Sequence, residues 1–345
     1  MSETNVLLCS AGRRSYLVQW FREALNITGL MGEVFLADID PYCPGQAFAD
    51  HFELAPSILD PSYDQWLMAT LHDQRIAIAI SVNDFELSHW ASMPTEDNRL
   101  ASLVRLTAEI QEIAEDKLQT AQQLEEHGIL VPMTLLGGDI ASRGLHNAHK
   151  NQRYVIKGRY GSGSRGLQVS DGVSLQSVLP RSFVEVTRAD GTQTSIVEEL
   201  LELVVVQPHV SGVEYGLDVV SDLNMQYAGV LARRKLAMRH GETDRAVSVD
   251  SSPFTEIARK LAVALPHKGA MDVDVIVDDE GNPWVIDVNP RFGGGYPFSH
   301  LAGANVPASY VAWANGMRAD PEWLRTDPGV LSAKGVDVIR VGQFE

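Results

Sequence analysis

Asp272, Asp274, Asp287 and Asn289 stand at alternate positions in two short apolar runs, and Arg291 follows two residues beyond. Between the runs lies Asp278-Asp279-Glu280-Gly281-Asn282-Pro283, a segment of turn formers. Alternation on both sides of a glycine-containing turn predicts an antiparallel hairpin. With the turn centred between Glu280 and Gly281, Asp274 faces Asp287 and Asp272 faces Asn289. All four side chains then share one face. Like charges placed opposite each other destabilise a hairpin, and a buried carboxylate needs a partner. A cation is therefore expected between them. The all-oxygen set suits Mg²⁺, a hard ion held by few carboxylates plus phosphate oxygens. Arg291 has the planar fork that grips a phosphate bidentately. Spacing alone leaves a second reading open, a solvated face with a chance Asp pair.

Upstream residues suit the same anion. Asp116 reads as the N-cap of a helix that Gly128 ends, and this puts Lys117 in the first turn. A cation there opposes the macrodipole by about 0.3–1 kcal/mol, a small cost that points to an anionic partner. Residues 154–169 read as strand, glycine-rich loop and strand. Gly161, Ser162, Gly163, Ser164 and Gly166 form the loop, with Lys157 just before it and Arg165 within it. Such spacing lets backbone N–H groups approach a phosphate. It is not a P-loop, since GxxxxGK[ST] is absent, and an idle loop is an equal alternative. The segment Gln207-Pro208-His209-Val210 offers backbone groups to an adenine edge, and Glu214 offers a carboxylate to ribose hydroxyls. His209 by itself reads as an ordinary linker histidine.

Candidate substrate contacts are more scattered. A short strand at residues 227–231 precedes a basic run, Arg233, Arg234, Lys235 and Arg239, which reads as an anion site or a solvated edge. Gly293, Gly294 and Gly295 make a tight turn whose amides suit a carboxylate. Arg13 and Arg14 follow the first strand, and Glu86 follows the strand at 76–80. Surface salt bridging is the preferred reading for Arg14 and stands level with anion binding for Arg13.

The elements that position these residues fall into two textures. Strands near residues 6–9, 34–37, 52–54 and 76–80 alternate with helices from Ser15 and over 63–71, which predicts an open parallel α/β sheet. Only one glycine follows the first strand, so a dinucleotide fingerprint is missing. From Thr107 onward helices give way to hairpins. A helix at 252–264, another near 310–313 and a strand at 336–340 complete the expected set.

The chain has 345 residues and a net charge of −17, which disfavours nonspecific nucleic-acid binding. Two cysteines, Cys9 and Cys43, give no disulfide framework. No apolar stretch reaches the roughly 18 residues of a membrane span, and no secretory signal is visible. A cytoplasmic protein without membrane or nucleic-acid partners is expected.

The ordered set is Asp116-Lys117, Lys157 with its glycine loop, Gln207 followed by Glu214, Asp274, then Asp287-Val288-Asn289-Pro290-Arg291. It resembles the ATP-grasp superfamily, most closely the branch similar to the carbamoyl-phosphate-synthase large chain and carboxylate–amine ligases. The resemblance implies a pre-ATP α/β domain over 1–106, then a two-lobed α+β ATP-grasp fold. Its small lobe would span 107–190 and its C-terminal lobe 191–345. It implies that Lys117 and Lys157 bind ATP phosphates and that the loop at 161–166 closes over them. Gln207, Pro208, His209 and Val210 would line the adenine pocket, and Glu214 would hold the ribose. Asp274, Asp287 and Asn289 would bind Mg²⁺, with Mn²⁺ an alternative ion, and Arg291 would join Lys157 at the transferring phosphate. Asp274 and Asp287 depart from the longer Glu or Gln common at these positions, and Pro208 replaces a common carboxylate. The implied activity is ADP-forming ligation of a small-molecule or amino-acid carboxylate to an amine through an acyl phosphate. A kinase or carboxyl-activating enzyme on the same fold is the alternative, and a non-catalytic nucleotide-binding regulator a further one. A homodimer is left open, and the acid and amine are unnamed.

Overall fold

The computed structural model describes residues 3–143, 152–161, 167–175, 178–179, 186–187, 193–194, 201–239 and 241–342. Apolar runs near the N-terminus form β1 (Asn5–Cys9), β2 (Val34–Asp38) and β4 (Ile76–Ser81), and a more polar segment forms a partly exposed strand, β3 (His51–Leu54). They pair in parallel in the order β3-β2-β1-β4. Every residue of β1 is buried, as a parallel strand covered on both faces requires. Val6 and Leu8 face the core that includes Leu17 and Phe21 of α1 (Ser15–Thr28). Leu7 and Cys9 point the other way, toward Leu67 of α2 (Tyr63–Asp73) and Trp90 of α3 (Asp84–Ser92).

Two capped helices follow. Thr107 Oγ1 accepts from Ile110 N at 3.4 Å to start α4 (Ala108–Glu115). Asp116 Oδ1 accepts from Leu118 N at 3.0 Å to start α5 (Lys117–Glu126). Both caps stand where the sequence put them. Gly128 adopts φ +65° just beyond α5, a conformation that favours glycine.

A small sheet contains β5 (Leu135–Leu136), β6 (Arg153–Gly158), β7 (Gln168–Asp171) and β10 (Val204–Pro208), in the order β5-β10-β6-β7. Helix α6 (Gly137–Arg143) follows β5, and β8 (Val186–Thr187) and β9 (Gln193–Thr194) make a separate ribbon. A six-stranded sheet comes next, in the order β15-β14-β11-β12-β13-β16. Its members are β11 (Val213–Ser221), β12 (Tyr227–Arg239), β13 (Glu242–Val249), β14 (Gly269–Val277), β15 (Pro283–Asn289) and β16 (Leu331–Ala333). One face is apolar. Leu217, Val219, Met271, Val273 and Val275 pack there against Ile257 and Leu261 of α7 (Thr255–Ala264). The opposite face carries the charged residues. After the glycine turn come α8 (Tyr296–Leu301) and α9 (Val306–Ala314). Helix α9 returns to the first sheet, where Tyr310 and Val311 join Val6, Leu8 and Phe21 in one core.

The fold is the expected one, a parallel α/β unit followed by antiparallel sheets. Two elements differ from the sequence reading. Strand β12 runs on through Arg233, Arg234 and Lys235 to Arg239, so these cations lie in the sheet and not beyond it. The closing strand is β16, and Val336 and Val338 are exposed outside any strand. No helix among the described residues is long and apolar enough to cross a membrane.

Candidate functional site

The β14–β15 hairpin brings the acidic set together. Asp274 pairs with Asp287 and Asp272 with Asn289, as the spacing predicts. The route to that register is different. Val277 pairs with Pro283 and Val275 with Val285, so the turn is centred on Glu280, one half-step from the expected place. Ile286 then has no partner across the ladder, and this bulge restores the predicted pairing at Asp287. Asn289 Nδ2 donates to Asp287 Oδ2 at 3.1 Å.

The bulge also has a use. Ile286, freed from the ladder, accepts a hydrogen bond on its carbonyl from Lys157 Nζ at 2.7 Å. Lys157 comes from β6 of the small sheet, so the two sheets meet here. Burial pushes the Lys157 ammonium down to about 8, against the pull of Asp287 and Asp274. Lys117 Nζ lies 3.9 Å from Asp287 Oδ1 and donates to the carbonyl of Gly161. Arg159 makes a bidentate pair with the fully buried Asp116 cap, at 2.8 and 2.7 Å, which fixes the start of α5 beside β6. Ser162, Gly163, Ser164, Arg165 and Gly166 lie outside the described residues.

Lys235, read in the sequence as part of a basic run at an anion site or solvated edge, belongs instead to the acidic face. It sits on β12, and its Nζ lies 2.6 Å from Asp274 Oδ1 and 2.8 Å from Glu214 Oε1. Burial opposes its charge, but these two carboxylates hold its pKa above the usual lysine range. Burial, with Asp272 and Asp287 nearby, pushes Asp274 up to about 7 even though Lys235 pulls it down. The missed signal was alternation: Arg233 and Lys235 continue the strand, opposite Gly216 and Glu214 of β11. Glu214 faces this cluster too, bonded to Lys235.

Gln207 is buried on β10, and its amide donates to Thr134 Oγ1 at 2.8 Å. It lines a recess with Lys117, Thr120, Leu124, Ile286 and Asp287. Pro208 ends β10 opposite Tyr154, and His209 N donates to Arg153 O at 2.9 Å. His209 and Val210 lead from β10 into the linker before β11.

Two family models match the chain. One described as "PylC-like, N-terminal domain" matches residues 6–101. One described as "ATP-grasp domain" matches residues 114–295, more than half of the chain. The chain belongs to the ATP-grasp family. Solved structures share the fold at low identity. An L-amino acid ligase from Bacillus licheniformis is 14% identical, covers 94% of this chain and 78% of its own, and has a TM-score of 0.66. A biotin carboxylase complex from Campylobacter jejuni is 15% identical over 94% of this chain and 74% of its own, with TM-score 0.69. An N5-carboxyaminoimidazole synthetase from Staphylococcus aureus is 13% identical over 93% and 81%, with TM-score 0.65.

The remaining candidates of this ATP-grasp chain separate by burial. Arg291 is held by Asp84 at the start of α3, with Nη2 at 3.0 Å from Oδ2 and Nε bonded to Oδ1. Arg233 is an interior residue, 1% exposed, that pairs with Asp218 at 2.6 Å and Asp272 at 2.7 Å. Its guanidinium lies over Gly216 and Gly295, where any Cβ would overlap it. That makes Arg233 a brace beneath the glycine turn, not a surface contact. Glu86 is likewise buried, accepting from Tyr63 Oη at 2.6 Å, Ser81 Oγ at 2.5 Å and Ser10 Oγ at 2.9 Å. Arg13 and Arg239 are exposed. Arg14 is half-buried and reaches across to the Phe292 carbonyl at 2.6 Å, with no salt bridge among the described residues of the kind expected for a surface arginine.

Proposed function

We propose that this ATP-grasp enzyme is an ADP-forming carboxylate–amine ligase. The observation that carries the reading is the pair of facing carboxylates, Asp274 and Asp287, ringed by Lys117, Lys157 and Lys235 where the two sheets meet. Among the described residues no cluster of three or more His, Cys, Asp or Glu forms a ready-made metal cage. Two carboxylates with the Asn289 amide fit Mg²⁺ better than such a cage would, because Mg²⁺ takes the rest of its shell from phosphate oxygens and water. Asp274, Asp287 and Asn289 would hold the ion, and Mn²⁺ suits the same oxygens. When bound, the ion neutralises phosphate charge.

The chain's own residues supply the rest. Lys157 and Lys117 give ammonium groups to the nucleotide phosphates, and Arg291 gives a guanidinium beside them. The recess beneath Gln207 takes the base, with Gln207, Pro208, His209 and Val210 along its edge, and Glu214 reaches the ribose. A substrate carboxylate oxygen attacks the γ-phosphorus, ADP leaves, and an acyl phosphate forms. An amine then attacks the acyl carbon, phosphate leaves, and the amine gives up a proton. No nucleophilic side chain is needed. The named ligases and carboxylases of this fold support the assignment by analogy. ATP supply and the free thiols of Cys9 and Cys43 suit a cytoplasmic setting.

The test is ADP release from Mg·ATP with panels of small carboxylic acids and amines. Release that requires both an acid and an amine, with a new amide found by mass spectrometry, supports ligation. Phosphoryl transfer to an acid or hydroxyl without any amine dependence would replace it with a kinase.

A further inference from the structure

We propose that Arg14 and Glu242 form a pocket for the zwitterionic end of an α-amino acid substrate. This rests on the ligase reading and names the substrate class that the site selects. The pocket lies at the turn that follows Arg291 in the chain. Its floor is the turn at Phe292-Gly293-Gly294-Gly295. Two guanidiniums converge on the Phe292 carbonyl, Arg14 Nη1 at 2.6 Å and Arg291 Nη1 at 3.3 Å. Arg291 is neutralised by Asp84. Among the described residues Arg14 makes no salt bridge, so most of its donor fork is open to a ligand.

Glu242 stands on the other side of the floor. A Cβ on Gly294 would lie 3.2 Å from its Oε2, so the carboxylate rests against the glycine turn. Lys334 donates to Oε2 at 2.6 Å, and Oε1 has no hydrogen bond among the described residues. Tyr16, on the first turn of α1, lies within electrostatic reach of Arg14, Glu242, Arg291 and Asp272, so these groups cluster around the turn.

Lys334 neutralises Glu242 as Asp84 neutralises Arg291, so the open donors and acceptors decide the ligand class. A phosphate or a dicarboxylate would use the Arg14 fork but give Glu242 Oε1 no donor. A diamine would suit Glu242 but give the Arg14 fork no acceptor. A group with a carboxylate and an ammonium on one carbon satisfies both, the carboxylate on the Arg14 fork and the ammonium on Glu242 Oε1. Gly294 lets the Glu242 carboxylate rest against the turn, since a Cβ there would press on it. The zwitterionic end is the end that is held, so the group that reacts is another group of the same molecule.

ADP release from Mg·ATP is measured with each proteinogenic amino acid in L and D form, alone and in pairs, beside the α-carboxamide and N-acetyl derivative of each responder. Thermal shifts of the same compounds are recorded with Mg·ADP present. The expected result is a response that both derivatives lose. Arg14→Met and Glu242→Gln should each raise KM for that amino acid by about tenfold, while KM for ATP stays in place. Equal use of acid and amide, or an unchanged amino-acid KM in both variants, overturns the pocket and leaves the ligase reading standing. If no amino acid releases ADP, the ligase reading is the one in trouble. A thermal upshift by an amino acid that Arg14→Met abolishes then still supports the pocket, and no upshift overturns it.

Discussion

At the residue scale, the site depends on charges held close together by partners of opposite sign. Asp287 faces Asp274 and accepts a hydrogen bond from Asn289. Replacing it with alanine removes a carboxylate from a crowded acidic face. Asp287→Ala should therefore fold as well as the parent while losing turnover by about 10²-fold or more. Lys157→Ala should do the same, and ADP release together with a melting curve checks both. The acidic residues were legible because strands alternate, so period-two spacing declares a face. Lys235 was not, because its strand reads as ending at Leu231, and a cation outside a strand has no face to belong to. Arg14 was misread for a related reason. Its partner, the Phe292 carbonyl, lies 278 positions away and belongs to the backbone, which side-chain patterns do not reveal.

At the element scale, the bulge at Ile286 and the glycine turn do the positioning. The bulge could not be read from the sequence, because a ladder that slips one residue and recovers leaves the same apolar alternation. The turn was visible as three glycines, but its cause was not. Gly295 is demanded by the buried Arg233 beneath it, since a Cβ there would overlap the guanidinium. Gly295→Ala should cost about 1–3 kcal/mol in chemical denaturation by displacing a well-packed interior group. Helix α8 offers a pH-dependent counterpart. His300 stacks on Trp20 at 3.8 Å, and burial pushes its imidazole down to about 4. The unfolded chain binds that proton below its ordinary value of 6.5, while the folded chain stays neutral until about 4. Stability from this group is thus whole above pH 6.5 and falls as pH drops through that window. His300→Phe should keep the stack with Trp20 and flatten this part of the stability profile, read by denaturation between pH 7 and pH 4.

At the scale of the whole molecule, the first α/β unit is built into the site. Helix α9 shares a core with β1 and α1, and Asp84 of α3 holds Arg291 across 207 positions of sequence. The pair is largely buried on the arginine side, so Asp84→Ala strands a charge and should destabilise the chain by about 1–3 kcal/mol. The same substitution should lower turnover, because Arg291 loses the partner that aims it. Class and order of elements were legible, since parallel runs with helices and later hairpins differ in period. The cross-domain contacts were not, because nothing local records which distant loop supplies a counter-ion. The central claim is that the hairpin, Lys117 and Lys157 form one Mg·nucleotide site. Titration calorimetry of ADP, with and without Mg²⁺, tests it without knowing either substrate. The account predicts Mg²⁺-dependent binding that Lys157→Ala abolishes and whose Mg²⁺ dependence Asp287→Ala removes. Binding that neither substitution alters, or no binding at all by the folded chain, would contradict it.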